Sequence, residues 1–278
     1  MMCRIMILAL IVLTIACSKD SPGRNKDKRP LSLMPEKKIK AKSLIHPKGM
    51  TVYKRIQSPE GYMRPKVLKS SFAYYLRHLP LKSHDFKVRY FDGYIKEKGA
   101  VYLAVVDMDI GKKDLQQCAD AVMRLRGEYL YGQKRYKRIH FNFLKDGRPR
   151  YYKNYADKSY SYRSFRKYMD YVFMNANTRS LHRELKKVVW KDMKAGDVFI
   201  QKGKPYGHAI IVLDVAQAKV SGRKLFLLAQ SYMPAQDIQI LVNPKDKETS
   251  PWYQHTFEGS FVVTPEWIFK RGDLKRFK

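Results

Sequence analysis

The sequence predicts an α+β fold in which helices pack on a mainly antiparallel sheet. Helical patterns occupy the central part of the chain, most clearly at 112–131 and 178–188. Four apolar, β-rich runs then follow in close succession, at 196–201, 208–216, 224–232 and 237–242. Short turn-forming segments separate these runs, which favours an antiparallel meander. Helices followed by a sheet are typical of α+β proteins, whereas regular alternation would indicate a parallel sheet.

The N-terminal residues have the layout of an export signal. Arg4 precedes an apolar run over 5–13 that is too short for a comfortable membrane span. The small residue Ala16 directly before Cys17 resembles the lipobox of bacterial lipoproteins. The resemblance implies removal of residues 1–16, lipidation of Cys17, and export to the cell envelope with a lipid anchor in a bacterial membrane. The alternative is an ordinary signal peptide with an incidental cysteine.

The remaining chain divides into a tether and one domain. Residues 17–44 are polar, basic and proline-containing, which is typical of a mobile linker. Residues 45–278 are long enough for a single α+β core, and we expect a monomer. A tyrosine-rich stretch at 148–177 reads as an insertion in that domain. Its rings are either a groove for glycan or peptide or, as we favour, a mixture of core and amphipathic surface.

The net charge of +31 is large and is spread along the whole chain. Such a charge in the cytosol would favour nucleic acid as the partner. Export instead favours anionic envelope partners: lipid head groups, lipopolysaccharide, or peptidoglycan and other cell-wall polymers bearing carboxylates. We therefore predict no nucleic-acid binding. A solvated basic surface without a specific ligand is the alternative, because charge alone does not select a partner.

Local patterns predict the elements between residues 70 and 143. Ser70 or Ser71 can cap a short helix that ends before Pro80. The runs 87–96 and 100–110 are strand-like and are predicted to form a hairpin. A further strand is predicted over 138–143.

The segment "KKDLQQCADAVMRLRGEYLY" (112–131) carries Cys118 on a predicted helix. Asp114 is a suitable N-cap, with Gln117 placed to close a capping box. Cys118 shares the apolar face with Leu115 and Val122, so it is either a buried packing residue or a nucleophile. Loss of the signal and lipidation of the other cysteine would leave it as the single free thiol.

A catalytic role would need a base and a group that orients the base. Because helix N-termini lower thiol pKa values, the position of Cys118 predicts a lowered pKa. His208 begins an apolar strand after a glycine, and a hairpin would place Gln230, at the end of the next strand, beside it. The Gln230 side-chain oxygen can then accept from the imidazole N–H, with Ser231 as the neighbouring alternative.

These motifs resemble the papain-like cell-wall amidases and peptidases of the NlpC and CHAP types. "QQCADAVMRL" is similar to the start of the nucleophile helix in the CHAP group, and "GDVFIQ" and "GHAIIVLDV" match the strands that follow. The resemblance implies a papain-like core in which Cys118 is the nucleophile, His208 the base and Gln230 the orienting residue. It implies hydrolysis of an amide in cell-wall peptide, with backbone N–H groups at the helix N-terminus as the oxyanion hole.

Two alternatives to that enzyme stay open. One is a non-catalytic envelope lipoprotein that binds peptidoglycan or another anionic partner. The other is a lipid or acyl-chain hydrolase or transferase on the same scaffold. No cofactor or metal is predicted, because "VDMDIGKKD" (106–114) lacks the glycine register and distal glutamate of a calcium loop.

A closer resemblance covers nearly all of residues 45–278. The segments "SFAYYLRHLPLK", "VDMDIGKKDLQQCADAVMRLRGEYLY", "IHFNF", "KDMKAGDVFIQKGKPYGHAIIVLDVA" and "LFLLAQSYMPAQDIQIL" resemble a bacterial lipoprotein family catalogued as domain of unknown function 4846. That family has no established activity, so the resemblance identifies relatives without assigning a reaction.

Overall fold

A computed structural model describes residues 43–97, 99–156, 159–203, 205–255 and 259–278. The predictions for the signal peptide (1–16), for Cys17 and for nearly all of the tether (17–44) lie outside these residues. Among the described residues, no helix has the length and apolar character that a bilayer crossing requires.

The helices begin where the sequence supplies caps. Ser71 caps the short predicted helix by accepting from the Tyr74 backbone N–H. Asn177 likewise caps the helix predicted at 178–188, which ends earlier, at Glu184. The α-helices are α1 (Val52–Arg55), α2 (Phe72–Arg77), α3 (Cys118–Gly132), α4 (Tyr152–Tyr155), α5 (Tyr162–Asn175) and α6 (Thr178–Glu184). Short 3-10 turns cover Tyr136–Arg138, Trp190–Asp192 and Arg271–Asp273.

The strands are β1 (Tyr62–Met63), β2 (Tyr102–Val105), β3 (His140–Asn142), β4 (Pro149–Tyr151), β5 (Lys186–Lys187), β6 (Val198–Gln201), β7 (His208–Ala218), β8 (Lys224–Gln230), β9 (Gln239–Leu241), β10 (Tyr253–His255), β11 (Phe261–Val263), β12 (Ile268–Lys270) and β13 (Leu274–Arg276). The main sheet runs β2-β9-β8-β7-β6-β13-β5, with β1 also on β7 and β10 also on β8. Every pairing in it is antiparallel, so the predicted α+β class and the β6-to-β9 meander are confirmed.

The predicted hairpin between 87–96 and 100–110 is wrong. Strand β2 pairs with β9, while 87–96 folds back on itself around Asp92 and Gly93, whose φ is 91°. The backbone N–H of Tyr90 donates to Tyr94, and that of Lys96 donates to Val88. A local Asp-Gly turn thus satisfies these backbone groups within the segment, which leaves β2 to a partner that is distant in sequence.

The sheet is buried on both faces, because alternate residues of its strands enter two separate cores. One core contains α3 and residues such as Ala209 and Ile211, together with Tyr152 and Tyr168 from the tyrosine-rich stretch. The other contains Ile210, Val212 and Phe269 beneath the β11–β12 hairpin. The first residue of β7 therefore lies at the edge of both layers.

Candidate active site

Cys118 is the first residue of α3, three positions closer to the helix start than the sequence predicted. The N-cap is Gln117 rather than Asp114, and the Asp120 carboxylate accepts from the Gln117 backbone N–H at 3.2 Å. Asp114 is engaged elsewhere, since its Oδ1 accepts from the Ala235 N–H at 2.7 Å and from Gln117 Nε2 at 3.0 Å. The shift places Cys118 directly beside the unpaired N–H groups of the helix N-terminus.

His208 is the first residue of β7, and aromatic rings surround its side chain. Its ring centroid lies 4.8 Å from that of Tyr232, 5.1 Å from that of Trp267 and 5.8 Å from that of Phe269. The preceding residue is Gly207, whose backbone passes so close to Gln201 that a Cβ there would lie 2.2 Å from the Gln201 carbonyl oxygen.

The His208 ring is held by a chain of buried polar side chains. Gln230 Oε1 lies 2.8 Å from His208 Nε2, and Gln230 Nε2 donates to Glu266 Oε2 at 2.7 Å. Lys96 in turn donates to that Glu266 oxygen at 2.8 Å. Because a carboxylate only accepts, it fixes the orientation of the Gln230 amide, and the amide oxygen then requires a proton on Nε2. In the neutral ring, Nδ1 is therefore the basic nitrogen.

Cys118 and His208 line one cavity of about 420 Å³ at the end of β7. The backbone of Ala209 and the hydroxyl of Thr178 contact the Cys118 thiol. No hydrogen bond joins the thiol to the His208 ring, although both residues lie in the described part of the chain. Catalytic hydrogen bonds are often long in unliganded sites. The other lining residues are Gln117, Asn177, Thr178, Arg179, Pro205, Tyr206, Gly207, Tyr232, Met233 and Trp267.

Burial dominates the electrostatics of both side chains. It raises the pKa of the Cys118 thiol to about 11, against the lowering effect of contacts with Ala209, Ala119 and Thr178. It also lowers the pKa of His208 to about 4, although the hydrogen bond with Gln230 acts to raise it. The expectation of a lowered thiol pKa is thus wrong, because desolvation of the thiolate outweighs the helix terminus. Both groups are neutral at pH 7.

This neutral pair predicts how alkylation of Cys118 depends on pH. Iodoacetamide reacts with the thiolate, so labelling should accelerate about tenfold per pH unit from pH 7 upwards and level off near pH 11. The rate is measured by mass spectrometry of the peptide that contains Cys118, since Cys3 and Cys17 also occur in the sequence, and Cys118→Ala is the control that lacks this site. A constant rate between pH 5 and 8 would instead reveal a thiolate–imidazolium pair and contradict the prediction.

Sequence reasoning missed Glu266, Lys96 and the aromatic wall. Glu266 follows β11 and reaches Gln230 only through the tertiary fold, so no spacing within the sequence points to it. The alternative orienting residue, Ser231, is fully buried, and its hydroxyl donates to the Gln236 carbonyl oxygen at 2.7 Å, with the Gln116 carbonyl oxygen also nearby at 3.1 Å. No cluster of three metal-ligating side chains occurs in the residues that the structure describes.

The Gly196–Asp197 pair has a structural role. Gly196 has a φ of 93°, a left-handed conformation that favours glycine. Asp197 is buried and accepts from Arg276 Nε at 2.5 Å and from the Lys194 backbone N–H at 2.9 Å. These bonds hold β13 beside β6. Neither Gly196 nor Asp197 lines the cavity that contains Cys118 and His208.

Comparison with protein-family models assigns the chain to a family. The model of the family described as domain of unknown function 4846 matches residues 52–276. The chain belongs to this family. The match contains Cys118 and His208 of the cavity and also Gln230 and Glu266 behind it, so the domain of unknown function 4846 supplies the whole site. Neither the curated proteins nor the solved structures yielded a match to the chain.

Proposed function

We propose that the protein is a cysteine hydrolase that cleaves an amide bond. One observation carries the proposal: a buried chain from Glu266 through Gln230 fixes the His208 tautomer, and the histidine shares a cavity with the single thiol of the described residues. The buried His255 also has a fixed tautomer, because its Nε2 lies 2.7 Å from the Trp190 carbonyl oxygen, but it lies outside the thiol cavity, so the shared cavity is what distinguishes His208. The helix that begins with Cys118 and packs on an antiparallel sheet also resembles the papain-like core of NlpC- and CHAP-type enzymes.

The chemistry follows from the two neutral side chains. As the Cys118 sulfur attacks the substrate carbonyl carbon, its proton passes to Nδ1 of His208 and the carbonyl oxygen becomes negative. The C–N bond then breaks, the imidazolium returns the proton to the leaving amine, and a thioester remains on Cys118. Water, deprotonated by the same nitrogen, cleaves the thioester to a carboxylic acid and restores the thiol.

The oxyanion needs donors that already point at the reacting carbon. The backbone N–H of Cys118, at the first position of α3, has no intrahelical acceptor. Gln117 also lines the cavity, with its side-chain nitrogen held by Asp114. The Cys118 N–H is the donor that we assign to the oxyanion, because it belongs to the same residue as the nucleophilic sulfur.

We propose that the substrate is cell-wall peptide, because an exported protein with a lipid anchor at Cys17 would be held close to the cell wall. The net charge of +31 suits a polymer bearing carboxylates. The rival is a non-catalytic envelope lipoprotein that binds the same polymer, and trapping of the covalent intermediate separates the two.

The full chain should form a thioester on Cys118 during turnover of soluble peptide fragments from digested peptidoglycan. We expect an acid-quenched reaction to show, by intact-protein mass spectrometry, an added acyl group that hydroxylamine removes. Liquid chromatography of the same mixture should show new free amines. Both signals should vanish in Cys118→Ala, since no other thiol lies in the described domain.

Cys118→Ser provides the matched control, because it retains the shape of the site but supplies a weaker nucleophile. It should bind the fragments and turn them over far more slowly. Equal amine release by the wild type and by Cys118→Ala would reject the hydrolase. Binding of fragments by both proteins without amine release would support the non-catalytic rival.

A further inference from the structure

A second cavity, which does not include Cys118, is lined by several basic side chains. It has a volume of about 410 Å³ and shares no lining residue with the thiol cavity. Arg126 of α3, Lys137 and Arg138 of the following turn, and Lys278 contribute four cationic side chains. The acidic side chain of the wall is Glu184 of α6.

The arginines and lysine that α3 and the following turn contribute to this basic cavity form no close ion pair with a described carboxylate, although Glu184 acts on Arg126 at longer range. Within the residues that the structure describes, no carboxylate lies at ion-pair distance from Arg126, Lys137 or Arg138. The Arg126 guanidinium packs instead over the rings of Tyr129 and Phe277, 5.4 Å from each centroid. Aromatic faces attract a cation but carry no charge to balance it.

Like charges in the cavity raise one another's energy. Burial lowers the pKa of Arg126, and the nearby Arg138 and Arg135 lower it further. His140 has a lowered pKa for the same reasons, with burial first and then Arg126 and Arg138. A bound anion would relieve this repulsion, so the unliganded cavity is electrostatically unsatisfied.

The Glu184 carboxyl only partly offsets the positive charge of the basic cavity at neutral pH. Burial raises the pKa of its carboxyl to about 7, although the Asn142 backbone N–H donates to Oε2 at 2.8 Å. Its other oxygen lies 4.0 Å from His140 Nε2, and Arg126 and Lys278 face it from α3 and the end of the chain. When protonated, the carboxyl can donate a hydrogen bond to an anion rather than repel it.

We propose that the basic cavity binds a phosphoryl group, carried by a small organic phosphate or by a lipid head group. A dianionic phosphate matches a cavity lined by four cationic side chains better than a single carboxylate does, and guanidinium groups can bind it through paired donors. The volume falls within the range of about 300–1,000 Å³ that is usual for small-molecule sites. Tyr151 and His140, with ring centroids 4.8 Å apart, offer an apolar wall for the remainder of the molecule.

Glucose 6-phosphate is the soluble probe for isothermal titration of the full chain at constant ionic strength. We expect saturable binding to one site, with no binding of glucose. Arg138→Met should weaken the affinity roughly tenfold or more, as loss of a charged hydrogen bond predicts. Arg138 is exposed, so this variant should fold. Arg223→Met removes an equal charge from the exposed β7–β8 turn, outside the cavity, and should bind as the wild type does.

Glu184→Gln gives an independent test. At pH 8 it should bind glucose 6-phosphate more tightly than the wild type, because it removes a carboxylate that is mostly ionised there; at pH 6 the two should bind alike. Co-sedimentation with vesicles that contain phosphatidic acid, whose head group is a phosphomonoester, tests a lipid source. Binding that is lost in Arg138→Met but kept in Arg223→Met would identify the head group as the ligand. Equal weakening by both arginine variants, or no saturable binding to either probe, would overturn the proposal.

Discussion

Replacing His208 with alanine should lower amide hydrolysis by about 10²- to 10⁴-fold, the usual worth of a positioned general base. With a thiol pKa of about 11, only about one Cys118 side chain in 10⁴ is a thiolate at pH 7. Attack therefore depends on a base that removes the proton during bond formation. The expected loss lies in kcat, measured with peptidoglycan fragments, rather than in KM, because the ring does not anchor the substrate.

A second buried histidine provides the matched control for this variant. His255 is 5% exposed, compared with 2% for His208, stacks on Trp190 and lies outside the thiol cavity. His255→Ala should destabilise the fold to a similar degree yet retain activity per folded molecule. Full activity in His208→Ala, with none in Cys118→Ala, would contradict the assigned base. Gln230→Leu should lower kcat less, because the His208 ring remains but loses the hydrogen bond that fixes its orientation and tautomer.

The meander was predictable because its strands are local. Each of the runs from β6 to β9 pairs with its neighbour in sequence, and turn residues mark the gaps between them. The same reasoning failed for 87–96, where a hairpin with 100–110 was equally local. The difference lies in the Asp92–Gly93 turn, which closed the first run on itself, and in β9, which offered β2 a better partner.

The candidate site was predictable where it depended on register and not where it depended on burial. A hairpin between the β7 and β8 runs places His208 beside Gln230, and that hydrogen bond is present. Glu266 belongs to a separate hairpin, and no pattern in the sequence predicted its contact with Gln230. The predicted shift of the Cys118 pKa had the wrong direction. The helix terminus that lowers the pKa is visible in the local sequence, whereas the burial that raises it comes from residues distant in the sequence.

Loss of the Asp214 carboxylate should strongly destabilise the fold. It lies on β7, six residues after His208, and is fully buried. Its carboxylate accepts from Arg77 of α2 at 2.8 Å and from Arg64 at 2.5 Å, and Oδ1 also accepts from the Val215 backbone N–H at 2.9 Å. The two guanidinium side chains are each 8% exposed, so water does not replace the carboxylate when it is lost.

Asp214→Asn should therefore lower the free energy of unfolding by about 3–5 kcal/mol, the cost of leaving buried charges without their partner. Urea denaturation followed by circular dichroism measures the change. Asp170→Asn is the matched control: it breaks an i,i+4 pair with Arg166 at 3.7 Å, and its side chain is 38% exposed, so a change below about 1 kcal/mol is expected. Similar effects of the two variants would contradict the argument.

The location of Asp214 also separates stability from chemistry. Its ion pairs attach α2 and the segment after β1 to the strand whose first residue is His208. Loss of those pairs should reduce the folded population without altering the His208–Gln230–Glu266 chain, which lies at the first residue of β7, six residues away. Below its lowered melting temperature, Asp214→Asn should therefore keep the wild-type kcat per folded molecule, whereas His208→Ala should be slow at every temperature.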